Sequence, residues 1–265
     1  MLRRIGRNVS DLENLGTFYI DGLGFKPAGP AVVDPKLAAT LGVSHVKTRR
    51  FQLGQQELDL TECHENGAPY PLPGRADDLI FQHIAIVTTD IFTMHGRAKR
   101  AGAEPISMNG PQRLPIAAGG VIAWKFRDPD GHPLEFLQFP TDGDWHGAAL
   151  TLGYDHSAIS VSNTEASIAF YEGIGLQLQQ RQVNHGLEQD QLDGLDHVKV
   201  DVVAMAAAGA PPHLELLGYH GQNSQRRQLR PHDLAADRLV FDTGDAALRL
   251  LQDPDGHFIL FDGRT

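Results

Sequence analysis

Apolar residues in this chain fall into short runs, many of them alternating with polar ones, and the runs are punctuated by glycine and proline. A period of two predicts half-buried strands joined by tight turns, not long helices. Four of these runs share one layout: Arg4-Ile-Gly-Arg-Asn-Val-Ser-Asp11, His83-Ile-Ala-Ile-Val-Thr-Thr-Asp90, His156-Ser-Ala-Ile-Ser-Val-Ser-Asn163 and Arg238-Leu-Val-Phe-Asp-Thr-Gly-Asp245. Each begins on His or Arg and ends on Asp or Asn, whose side-chain oxygen can accept from the free N–H groups of a helix's first turn. Strand, cap and helix are therefore predicted in that order.

Amphipathic stretches follow the first and third runs and end in Phe18-Tyr19-Ile-Asp-Gly-Leu-Gly-Phe25 and Phe170-Tyr171-Glu-Gly-Ile-Gly-Leu176. Gly24 and Gly175 there supply the left-handed residue that stops a helix. The second run leads into a helix from Met94 to Arg100, and the fourth has none. Strand pairs then close each repeat. Repeats two and four carry the turn Asp128-Pro-Asp-Gly-His132 and Asp253-Pro-Asp-Gly-His257, followed by Pro133–Phe139 and Phe258–Asp262. Repeats one and three close on Glu57-Leu-Asp59-Leu60 and His213-Leu-Glu215-Leu216. The repeats span 1–63, 79–140, 152–219 and 234–265, with linkers at 64–78, 140–153 and 218–233.

These segments resemble the vicinal oxygen chelate superfamily, which contains glyoxalase I, extradiol dioxygenases, methylmalonyl-CoA epimerase and the fosfomycin and bleomycin resistance proteins. The opening His-x-Ala-Ile-x-Val, the Phe-Tyr-x-x-x-Leu-Gly-Phe helix end and Asp-Pro-Asp-Gly-His-x-x-Glu carry the resemblance. It implies an α+β fold of four βαβββ-type modules, the fourth truncated, forming curled, mostly antiparallel sheets with flanking helices. Two domains are expected, 1–140 with modules one and two and 152–265 with modules three and four. Metal ligands are expected on the first and last strands of a module pair.

His83 opens repeat two and Glu135 lies on its last strand; His156 and Glu215 hold the same places in repeat three. Two imidazoles and two carboxylates suit a divalent Zn, Ni, Fe or Mn ion. A glutamate between Leu134 and Phe136, or between Leu214 and Leu216, is costly to bury unless it is paired or metal-bound. Repeats one and four offer Arg4 with Asp59 and Arg238 with Leu260, and arginine stays protonated. In fused two-site relatives of the glyoxalase I type, unit one pairs with four and two with three. On that pairing one cup keeps a full ligand set and the other is dead, with an Arg4–Asp59 salt bridge in place of the ion. The pairing of adjacent units, as in extradiol dioxygenases, is the alternative.

Three functions remain open on these residues. A glyoxalase- or epimerase-like enzyme would use the ion to stabilise an enediolate-type intermediate, with Glu135 or Glu215 as general base. An Fe(II) ring-cleaving dioxygenase would use two His and one carboxylate. A metal-free small-molecule binding or resistance protein would use neither. No pattern supports glutathione recognition. His132 and His257 read as turn residues, Trp124, Phe126 and Phe136 as core, and His185, His197, His213 and His232 have no place in the repeat.

Composition narrows the partners. A formal charge of −10 over 265 residues argues against nucleic acid and anionic membranes and leaves a small-molecule substrate. The single cysteine, Cys63, permits no internal disulfide, and no apolar run reaches membrane-span length, so a cytoplasmic location is expected. The shortened fourth repeat leaves a sheet edge that a second copy could cover, so a homodimer is expected to be accessible.

Overall fold

In the computed structural model, residues 2–65, 67–140, 145–207, 211–221, 224–242, 244 and 247–263 are described. Asp245, the predicted cap of the fourth repeat, lies outside them. Module one contains β1 (Leu2–Val9), α1 (Leu12–Thr17) widening into a π-type segment Phe18–Leu23, β2 (Lys26–Pro27), β3 (Val32–Val33), α2 (Pro35–Leu41), β4 (Val46–Leu53) and β5 (Gln56–Cys63). Module two contains β6 (Gln82–Thr88), α3 (Ile91–Arg100), β7 (Glu104–Pro105), β8 (Gln112–Arg113), β9 (Ile122–Arg127) and β10 (Pro133–Gln138). Module three contains β11 (Thr151–Ser160), α4 (Thr164–Gly173), β12 (Gln177–His185), α5 (Leu187–Asp193), β13 (Lys199–Ala206) and β14 (His213–Tyr219). Module four is β15 (Arg238–Phe241), β16 (Arg249–Gln252) and β17 (Phe258–Phe261), with no helix among its described residues.

The predicted caps form. Asp11, Asp90 and Asn163 each accept from backbone N–H groups of the following first turn. Gly24, at φ 88°, ends the first helix as its amide returns to the Ile20 carbonyl. The second helix starts at Ile91, three residues before Met94, because Asp90 is its true N-cap. Two short helices, α2 and α5, go beyond one helix per module. α2 has a local signal in Asp34 as N-cap and Pro35 in its first turn.

The strands form two mixed sheets. One runs β16-β17-β15-β1-β5-β4-β2, with β3 beside β4, and joins modules one and four. The other runs β12-β13-β14-β11-β6-β10-β9-β7, with β8 beside β9, and joins modules two and three. Module one thus pairs with four and two with three, and each half of the chain contributes a module to either sheet. Within each half the Asp-Pro-Asp-Gly-His turn ties the two modules together. Asp128 takes the Tyr19 hydroxyl at 2.9 Å, and Asp253 takes that of Tyr171 at 3.1 Å. These are the tyrosines of the two Phe-Tyr helix ends.

Strand alternation sorts side chains to two faces. Ile84, Ile86, Trp124, Phe126, Leu134, Phe136, Leu214 and Leu216 enter one large core with Ile5, Leu58, Leu239 and Ile259 of the other sheet and with Leu15, Met94 and Tyr171 of the helices. The aromatic trio is core, as its pattern predicts. Trp124 and Phe126 stack with centroids 4.5 Å apart. The intervening residues of the same strands, among them His83, Ala85, Glu135, Ala158 and Glu215, face away from that core into a cup.

Candidate metal centre

β6 and β11 lie side by side and antiparallel at the middle of their sheet, with His83 opposite Ala158 and Ala85 opposite His156. The two His-x-Ala sequences therefore meet head to tail about a local two-fold axis. On one face they place two imidazoles and two methyl groups, and the alanines pack among apolar side chains. Parallel pairing adds Glu135 next to Ala85 from β10 and Glu215 next to Ala158 from β14. His83, Glu135 and His156 come together as a trio, and Glu215 joins them only at His156.

Glu135 Oε2 lies 2.9 Å from His83 Nε2 and 3.9 Å from His156 Nε2, and Glu215 Oε2 lies 3.4 Å from His156 Nε2. His83, Glu135 and His156 form the tighter trio, each offering an atom within 4.8 Å of the others. His83, Glu135 and His156 are buried, while Glu215 is at 19 % side-chain exposure and marks the mouth. Among the described residues neither His83 Nδ1 nor His156 Nε2 has a hydrogen-bond partner, and His83 Nε2 has only the Glu135 carboxylate at 2.9 Å. Buried nitrogens left unsatisfied call for an explanation, and a shared cation supplies one. The donor set fits a divalent ion.

Three residues outside the predicted set surround it. Asp155 Oδ2 holds His156 Nδ1 at 3.0 Å and Trp145 Nε1 binds Asp155 Oδ1 at 3.2 Å, an arrangement that fixes which ring nitrogen faces the centre. His213 lies 3.5 Å from Glu215 Oε1 and 3.7 Å from Asp155 Oδ2. It sits two residues before Glu215 on the same strand face, the only signal that would have placed it. His132 and His257 are structural: His132 stands 3.4 Å from Asp237, and His257 Nε2 meets the Ser160 carbonyl at 2.9 Å.

Charge within the cluster is strongly coupled. Burial by itself would lower the His156 pKa, but Glu215, Asp155 and Glu135 carry it up to about 9. Burial would raise Glu215, yet His156 and His213 hold it down at about 2. His83 is pushed below the ordinary imidazole value, burial outweighing Glu135, and is ready to bind as a neutral ligand. The ion-free protein then gains stability from charged His156 fully below about pH 6.5, and loses it as pH rises through about 9. The Glu215 contribution is present above about pH 4.5 and is lost as pH falls toward 2. A cation held by His156 would compete with that proton. We expect thermal unfolding of ion-free protein to soften from pH 7 to 10, and His156→Gln to abolish the softening. An unchanged profile in His156→Gln would reassign it.

The equivalent positions of the other sheet are filled differently. Arg4 donates to Asp59 at 2.6 Å and to Asp262 at 2.5 Å, and Arg50 adds a 2.8 Å bond to Asp59. The predicted Arg4–Asp59 ion pair is present. Arg238 binds the Asn8 side-chain oxygen at 2.6 Å, and its guanidinium lies across Gly6, where a Cβ would meet Nε at 3.1 Å. A glycine stands there, in the place Ala85 occupies in the first cup. Leu260 joins an apolar cluster. This second cup is closed by side chains.

A family model, described as the Glyoxalase/Bleomycin resistance protein/Dioxygenase superfamily, matches residues 2–136, half of the chain. The chain belongs to that superfamily. Among solved structures it is similar to glyoxalase I from Zea mays at 15% identity, with 99% of this chain and 92% of that one covered and a TM-score of 0.59. The V278E mutant of that enzyme gives 16% identity over the same shares and a TM-score of 0.64. A proposed dioxygenase of Bacillus subtilis subsp. subtilis strain 168 gives 12% over 98% and 84%, with a TM-score of 0.60. At these identities the likeness shows the fold. No curated protein matches. Among the described residues, no helix is long and apolar enough to cross a membrane.

Proposed function

We propose that this chain is a metal-dependent enzyme acting on a small oxygenated molecule, with a divalent ion held by His83, Glu135, His156 and Glu215. The observation that carries this reading is the convergence of the two glutamates on imidazole nitrogens that are buried and otherwise unsatisfied. When bound, such an ion supplies Lewis-acid stabilisation of negative charge developing on a substrate oxygen. Glyoxalase- or epimerase-type proton transfer next to a carbonyl is the chemistry that the residues favour. Glu135, buried between both histidines, is the more fixed carboxylate. Glu215, at the mouth and beside only one of the two predicted histidines, is the better placed to accept a substrate proton. His213, 3.5 Å behind it, can steady the carboxylate from outside.

Elemental analysis of protein purified without a histidine tag tests the centre. About one divalent transition ion per chain, removable by chelator and restored on addition, is expected. Protein that neither carries nor takes up an ion overturns the proposal. The tight trio of two histidines and one carboxylate also favours a second reading, an Fe(II) dioxygenase. Anaerobic iron loading followed by oxygen uptake with catechol separates the two; absence of uptake removes the dioxygenase.

A further inference from the structure

Each sheet curls round a short helix, and the two helices present different surfaces. In the closed cup α2 packs Leu37, Ala38 and Leu41 against Val46, Cys63, Val240 and Leu260, an apolar plug. In the cup with the metal centre α5 packs Leu192 near Ala85 and Leu137 but also buries Gln189 and Asp193. Asp193 Oδ1 lies 2.5 Å from Lys125 Nζ, and Asp193 Oδ2 accepts from Gln189 Nε2 at 2.7 Å.

Lys125 is directly opposite Glu135 across β9 and β10, so its side chain emerges on the face of the four candidate ligands. It is buried, and its charge acts on both Glu135 and Glu215. Among the described residues Gln189 Oε1 is buried without a hydrogen bond, and the buried Tyr219 hydroxyl stands beside the Asp193 carboxylate. Tyr219 is on β14, four residues beyond Glu215 and therefore on the same strand face. A plug meant only to fill space would be built like α2. This one carries a carboxylate to a buried ammonium, with a phenol beside that carboxylate.

We propose that the substrate is a small carboxylic acid whose carboxylate takes the place of Asp193 on Lys125 when α5 withdraws from the cup. The proposal rests on the reading of the neighbouring side chains as a metal centre, and names the class of molecule that centre receives. Charge counting supports it. Lys125 and Asp193 cancel each other, and a divalent ion would offset Glu135 and Glu215, with the Asp155 carboxylate left on His156. Withdrawal of α5 leaves one uncompensated buried ammonium, which is costly without an anion. An incoming carboxylate replaces the lost partner of Lys125 and takes the place of Asp193 beside the Tyr219 hydroxyl. A second oxygen on the adjacent carbon would then face the four-residue cluster.

Calorimetric titration with 2-oxobutanoate, and with neutral butane-2,3-dione as control, tests this on ion-free and ion-loaded protein. Asp193→Asn removes the internal competitor and is expected to tighten 2-oxobutanoate by about tenfold or more, leaving the dione nearly unchanged. Lys125→Met combined with Asp193→Asn removes both charges together, avoids stranding a buried carboxylate, and should cancel the gain. An unchanged or weakened anion affinity in Asp193→Asn overturns the proposal, as does a gain that survives in the double variant. Elemental analysis of the same preparations reports on the centre separately. A gain without any bound ion sinks the metal centre and keeps the carboxylate site; a bound ion without the gain does the reverse.

Discussion

Glu135→Gln is expected to lower the affinity for a divalent ion by about two orders of magnitude, while Glu215→Gln keeps most of the affinity and loses turnover. Structural four-ligand sites bind with roughly 10–16 kcal/mol, so one anionic ligand of four is worth about 3 kcal/mol, or about a hundredfold. Glu135 is the carboxylate shared by both histidines, 2.9 Å and 3.9 Å away. Glu215 touches only His156 of that pair and reaches the mouth. Competition titrations against a chelator read the affinity of each variant. Deuterium uptake from solvent, at carbon next to the carbonyl of small oxygenated acids, reads proton transfer. Equal affinity loss in the two variants would erase the distinction between anchor and base. Full turnover in both would remove the proton-transfer mechanism altogether.

Arg7→Met is expected to destabilise the fold by about 3–5 kcal/mol, the range for removing one partner of a buried ion pair. Arg7 is fully buried on β1 and donates to Asp237 at 2.9 Å and to the Tyr19 hydroxyl at 2.6 Å. Tyr19 in turn donates to Asp128, which heads the turn of module two. One guanidinium therefore ties together the first strand, the first helix end, the turn of module two and the residue before β15. Burial pulls the Arg7 pKa down, but Asp237, Tyr19 and Asp128 overcome it and hold the group charged. Loss of the cation strands the Asp237 carboxylate, which Arg7 and His132 otherwise keep ionised. Urea denaturation should show the loss, and Arg7→Met with Asp237→Asn should recover part of it, since a neutral pair leaves no buried charge. A cost below about 1 kcal/mol would show that water reaches the cluster and screens it.

Much of the molecule is legible in one dimension. Alternation around His83, Glu135, His156 and Glu215 separates core from cup residues because a strand turns successive side chains to opposite faces. The caps at Asp11, Asp90 and Asn163 are local and follow from hydrogen bonds within a few residues. Gly6, Ala85, Ala158 and Val240 occupy equivalent positions, and only the Arg238 side chain lying over Gly6 explains the smallest of them.

What escaped the sequence is what depends on distance along the chain. Lys125 and Asp193 are 68 positions apart and belong to different modules, so no spacing rule joins them. Asp155 and His213 acquire meaning only because β11 and β14 lie in parallel register. α5 has a glycine before it and no side-chain cap, and thus almost no local signature.

The sequence by itself determined the strand faces, the helix caps at Asp11, Asp90 and Asn163, and the four residues proposed to hold an ion. Those properties follow from side-chain type and local periodicity, which the linear order fixes directly. Only the tertiary structure decided that module two meets module three, that Asp193 rests on Lys125, and which carboxylate lies deep. These depend on which of several similar sheet edges associate and on what becomes buried when they do, a balance of long-range packing and desolvation that no single segment encodes.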